Sequence, residues 1–166
     1  MKGNRTGTEH PKQLKGRDPS PDAMGTADEG AGDSSVLIVY GTLRRGEHNY
    51  RLCGLEDGAT YLGTVRLSGW AMRSLGHCPA VHASDSTNDG IVVEAYRVHD
   101  RTVYDRIDAL ESGAGYDRRE VTVEVDSMTV TGTIYIMSEG RLEGCPSVPF
   151  GDWVSFSRKQ CLSSRG

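Results

Sequence analysis

Val36 to Tyr40 is an almost unbroken apolar run, bounded by serines on one side and Gly41 on the other. A strand without polar alternation must be covered on both faces, so this run predicts a central β-strand over 35–40. Residues 60–67 and 90–98 predict two more strands, with Gly63 a candidate bulge in the first. From Arg119 to Val125 the alternation is strict, giving one buried face and one wet face. Residues 128–137, with Val130, Ile134 and Ile136, form the matching hairpin partner across Asp126 and Ser127. One segment has helical spacing instead. Val103, Ile107 and Leu110 fall at i, i+4 and i+7, Asp100 can cap the start, and Gly113 suits a left-handed residue after the end.

These elements predict an α+β fold: a small mixed β-barrel or strongly curved sheet with one main helix packed against it. The domain spans 34–157. Before it, residues 1–33 hold Gly, Pro, Ser, Thr and mixed charge, with only Leu14 and Met24 as larger apolar side chains. Such a segment cannot bury enough apolar surface to offset its conformational entropy, so a disordered tail is expected. Residues 158–166 are similarly polar and are expected to form a flexible C-terminal tail.

Composition narrows the function classes. A chain of 166 residues with 36% hydrophobic and 25% charged side chains suits one globular domain. The net charge of -4 argues against a nucleic-acid surface. The basic pairs Arg44-Arg45 and Arg118-Arg119 lie beside acids or glycine and read as solvated surface first, with a local anion patch the second reading. No apolar stretch approaches the length that crosses a bilayer, and no apolar core of a secretory signal is visible. Four cysteines, Cys53, Cys78, Cys145 and Cys161, are scattered without a CxxC pair and are expected as free thiols. The expected location is cytoplasmic, with no membrane or nucleic-acid partner. No heptad seam speaks to the oligomeric state.

Two places can carry chemistry. Tyr40-Gly41-Thr42-Leu43 leaves a strand directly into a loop, where successive N–H groups can form an anion-binding concavity. Gly41 lacks a Cβ that would hold a ligand off the backbone. Glu111 closes the predicted helix just after Leu110. The partial negative charge of a helix C-terminus and any burial both raise a carboxyl pKa, as an acid/base near neutral pH requires. Taken by position alone, each has an ordinary reading: a strand-to-loop turn, and a solvent-exposed glutamate at a helix end.

Their combination changes the odds. Arg44-Arg45-Gly46 and Asn49 follow the first segment, while Tyr116 and Arg118 follow Glu111 ahead of the next strand. In this order the two segments resemble the gamma-glutamylcyclotransferase-like superfamily, with bacterial or phage-type gamma-glutamylamine cyclotransferases the nearest pattern. The resemblance extends from Val36 to Phe156. It takes in Gly69-Trp70-Ala71-Met72 with Pro79-Ala80-Val81, the strand from Gly90 to Tyr96, Tyr135, and Gly151-Asp152-Trp153. The long N-terminal tail and Leu110, where many relatives carry an aromatic, depart from it.

The resemblance implies a reaction without metal or cofactor. A gamma-glutamyl amide would close to 5-oxoproline and release its amine, with Glu111 as general acid/base. Tyr40, Gly41, Thr42 and Leu43 would hold the substrate's alpha-carboxylate, and Tyr116 and Tyr135 would line the site. The partner is then a small gamma-glutamyl molecule. The alternative is a non-catalytic small-molecule-binding module of the same fold, which would have no need to keep Glu111 with its following tyrosine. His77, Cys78 and His82 match no zinc spacing and are expected as loop and edge side chains.

Overall fold

The computed structural model describes residues 35–165, so the tail expected over 1–33 lies outside the described residues. Strand β1 (Ser35–Val39) sits in the middle of the main sheet. It runs antiparallel to β5 (Gly90–Val98) and parallel to β7 (Met128–Ile136), and β2 (Ala59–Ser68) and β6 (Asp117–Val125) flank them in the order β2-β5-β1-β7-β6. Its apolar run divides between two cores, as a strand covered on both faces requires. Leu37 and Val39 pack with Val103, Ile107 and Tyr96, whereas Ile38 and Tyr40 pack with Met72, Val81 and Trp153.

The second core is closed by a separate hairpin of β3 (Trp70–Ser74) and β4 (Pro79–Ala83). It is tied to the main sheet through Met137 N–H to the Val81 carbonyl at 3.0 Å. The bulge expected at Gly63 is present: the β2–β5 register shifts between Tyr61 and Gly63. There the sheet curls until β2 meets β6, and the Val125 side chain occupies the place of the missing Cβ. The β6–β7 hairpin turns through Asp126 and Ser127, both with positive φ (47° and 68°), matching the twist of the strands it joins.

Two short helices, α1 (His48–Leu52) and α2 (Leu55–Gly58), follow the loop after β1. The main helix, α3 (Arg101–Gly113), begins where expected, with the Asp100 carboxylate accepting from the Thr102 N–H at 2.9 Å. Val103 and Ile107 are buried, but Leu110 is 38% exposed. The helix also ends later than its sequence suggests. Gly113 and Ala114 stay right-handed, and Gly115 takes the left-handed place at φ 90°.

A last helix, α4 (Trp153–Ser163), corrects the boundary at 157: much of the segment 158–166 expected as a flexible tail is helical. Its N-terminal half anchors it through buried Trp153 and half-buried Phe156, while residues 158–165 are exposed, which is why the sequence there looks featureless. Among the described residues no helix is long and apolar enough to cross a membrane.

Candidate active site

A tight loop leaves the end of β1. Arg44 N–H bonds the Gly41 carbonyl, Glu47 N–H the Arg44 carbonyl, and Asn49 N–H the Thr42 carbonyl, each at 3.0 Å. The Asn49 side-chain amide donates to the Thr42 hydroxyl at 2.8 Å. Arg44, Glu47 and Asn49 are the donors of this loop's own bonds, which leaves the N–H groups of Gly41, Thr42 and Leu43 outside them. Gly41 has a second reason to be glycine beyond ligand approach. A Cβ there would stand 2.6 Å from Cγ of Pro79, on β4.

Glu111 reaches the same place from the last turn of α3. The helix closes with a left-handed motif in which Gly115 N–H bonds the Ser112 carbonyl (3.1 Å) and Tyr116 N–H bonds the Glu111 carbonyl (3.0 Å). Tyr116 is thereby folded back against Glu111. Its hydroxyl donates to the Pro79 carbonyl at 2.7 Å and lies 3.7 Å from the Cys78 thiol. Tyr135 arrives from β7; its carbonyl accepts the Tyr40 hydroxyl at 2.7 Å, and its own hydroxyl donates to Asp108 at 3.0 Å. Asp108 of α3 therefore supports the site wall.

All seven residues singled out from the sequence, Tyr40, Gly41, Thr42, Leu43, Glu111, Tyr116 and Tyr135, line one cavity of about 420 Å³. His48, Asn49, His77 and Cys78 complete its polar lining, and among the described residues no arginine or lysine contributes to it. Burial pushes the Glu111 carboxyl up to about 7. Removal from water disfavours the carboxylate, and the group is poised to gain or lose a proton near neutrality. Burial likewise raises Tyr40 and Tyr116, which remain neutral phenols at that pH.

One residue that supports the site is not visible as such in the sequence. Arg44, expected at the surface, is 8% exposed and bonds Glu94 of β5 at 3.3 Å and Asp152 at 2.8 Å. The partners are far away along the chain, so nothing local marks it as interior. His77 and Cys78 lie at the cavity, whereas His82 is buried in β4 with its Nδ1 near the Ala83 carbonyl. Among the described residues, no three His, Cys, Asp or Glu side chains are arranged to hold a metal ion.

The curled sheet thus presents a strand-end turn and one buried, raised carboxyl to a single small cavity. Residues 37–155 match the family model described as gamma-glutamyl cyclotransferase, AIG2-like, and the chain belongs to that family. A similar curated protein is YkqA of Bacillus subtilis, which is provisionally named a gamma-glutamylcyclotransferase. It is 29% identical over 120 residues, 72% of this chain and 41% of that protein, so the chain spans less than half of that relative's length. The crystal structure of YkqA superposes with a TM-score of 0.58 at 27% identity, over 80% of this chain and 43% of that one. An AIG2-like protein of Mus musculus shares the fold at TM-score 0.55 and 20% identity, over 72% and 94% of the two chains.

Proposed function

We propose that the protein is a gamma-glutamyl cyclotransferase, converting a gamma-glutamyl amide into 5-oxoproline and a free amine. The observation that carries this reading is the placement of Glu111, raised to about 7, in the same cavity as the Gly41–Leu43 turn. The substrate's alpha-carboxylate lies against the N–H groups of that turn. Glu111, as carboxylate, takes a proton from the alpha-amino group, whose nitrogen then attacks the gamma-carbonyl carbon. The ring closes through a tetrahedral intermediate. Glu111 returns the proton to the departing nitrogen as the gamma C–N bond breaks, leaving the lactam and the amine.

Nucleophile and electrophile belong to one molecule, so the protein's task is to hold the folded conformer and move one proton. Orientation of this kind lowers a barrier by roughly 7–11 kcal/mol in favourable cases, and general acid–base catalysis adds a factor of about 10²–10⁴. The same reading gives the protein a small-molecule partner rather than a nucleic acid or a membrane. It fits a cytoplasmic setting, where its free cysteines would stay reduced.

The test is release of 5-oxoproline from gamma-glutamyl dipeptides, gamma-glutamyl amines and gamma-glutamyl-ε-lysine, with Glu111→Gln beside the wild type. Turnover of any of them that disappears in Glu111→Gln supports the reading. Silence of well-folded wild type across the panel turns the assignment to a binding module.

A further inference from the structure

Arg44 follows the Gly41–Leu43 turn directly but does not line the cavity. Its guanidinium bridges two acids from distant parts of the chain. Nε donates to Oε1 of Glu94 at 3.3 Å, and Nη1 donates to Oδ1 of Asp152 at 2.8 Å. The other oxygen of Glu94 accepts the Arg45 N–H and the Tyr96 hydroxyl, each at 2.8 Å. The same oxygen of Asp152 also caps α4 through the Ser155 N–H at 3.3 Å. The end of the turn is therefore gripped twice, by the Arg44 side chain and by the Arg45 backbone.

The side chains of Arg44 and Glu94 are 10% and 8% exposed. At such burial the cost of desolvating charges offsets much of their attraction, so an ion pair is a poor source of net stability. What a guanidinium held on two carboxylates supplies is direction, because its planar donors fix orientation as well as distance. We infer that Arg44, clamped between Glu94 and Asp152, is a positioning residue that aims the Gly41–Leu43 N–H groups at the substrate carboxylate without touching the substrate. This inference rests on the cyclotransferase reading for its kinetic consequence, and on the structure alone for its effect on the turn.

The experiment compares wild type, Arg44→Lys and Asp152→Asn. Lysine keeps the charge but loses the two-armed geometry; asparagine keeps an oxygen for the Ser155 N–H but removes the charge. Two readouts are taken on each: steady-state kinetics on the best gamma-glutamyl substrate across pH, and amide hydrogen exchange resolved to residues 40–45. The expected result for both variants is a KM raised about tenfold or more, with kcat and its pH midpoint changed far less. Exchange should quicken at Gly41–Leu43 and not in β5 or α3. A loss of active protein at unchanged KM, or exchange that quickens evenly over the domain, assigns Arg44 a structural role only and overturns the inference. Wild-type kinetics and exchange in both variants overturn it as well. If wild type turns over no gamma-glutamyl compound, the functional reading fails by itself, and exchange at the turn still decides the positioning role. If Arg44→Lys does not fold, Asp152→Asn decides.

Discussion

The backbone N–H of Tyr116 donates to the carbonyl of Glu111 at 3.0 Å, across the left-handed residue that ends α3. One helix-terminating motif thus brings together the buried Glu111 carboxyl and the tyrosine whose hydroxyl is held by β4. Gly115 makes this possible. At φ 90° a Cβ is strained, and here it would also stand 2.6 Å from the Arg141 guanidinium. Gly115→Ala is expected to lower stability by about 1–2 kcal/mol and to reduce turnover more than its folded fraction explains. Thermal unfolding and kcat measured on one preparation check this.

Glu111→Gln links catalysis to stability. Burial raises the carboxyl from 4.5 to about 7, so the folded state resists ionising a group that the unfolded chain ionises readily. The sign follows: wild type holds its full stability from this group below pH 4.5 and loses it as the pH rises through about 7. The glutamine variant has no such loss. Its stability relative to wild type should grow between those limits by on the order of 1–3 kcal/mol and level off above. Denaturant unfolding at a series of pH values reads this out, and a difference independent of pH would refute it.

The rate should titrate on the same group. The proposed mechanism begins with Glu111 as carboxylate, so on that reading kcat/KM climbs through a midpoint near 7. The rising limb should vanish, with the activity, in Glu111→Gln. A pH–rate profile on one gamma-glutamyl substrate is sufficient.

Tyr116→Phe removes the hydroxyl that donates to the Pro79 carbonyl at 2.7 Å. A buried acceptor left without its partner costs about 1–3 kcal/mol. The variant should unfold at lower denaturant. Its activity should also fall, because Pro79 is the residue packed against Gly41. Unchanged stability would mean that another donor takes over that carbonyl.

How far the sequence could be read depended on how local each determinant is. Strand β1, the Asp126-Ser127 turn and the Asp100 cap rest on neighbours within a few residues, and their patterns were plain. Glu111 and Tyr116 lie within one helix end, so their order already suggested a joint site. The burial of Arg44 has no local signature, since its acids stand 50 and 108 positions away, and a basic pair beside glycine ordinarily faces water. Spacing puts the left-handed stop of α3 at Gly113, whereas the chain uses Gly115. The choice fell to whichever N–H groups could reach the last carbonyls, which spacing does not reveal. Helix α4 was hidden because its apolar anchors, Trp153 and Phe156, are confined to its first half.

The meeting of Gly63 with Val125 has a consequence for life in a crowded solution. An open sheet leaves a row of bare peptide groups along each outer strand, a template onto which another chain can add. Here β2 and β6, each bonded on one side only, turn toward each other, and their closest approach depends on the space a single absent methyl leaves. Any side chain at position 63 would wedge that seam apart and offer two strand borders to neighbouring molecules. Gly63 thus keeps the two sheet borders together as well as setting the curvature.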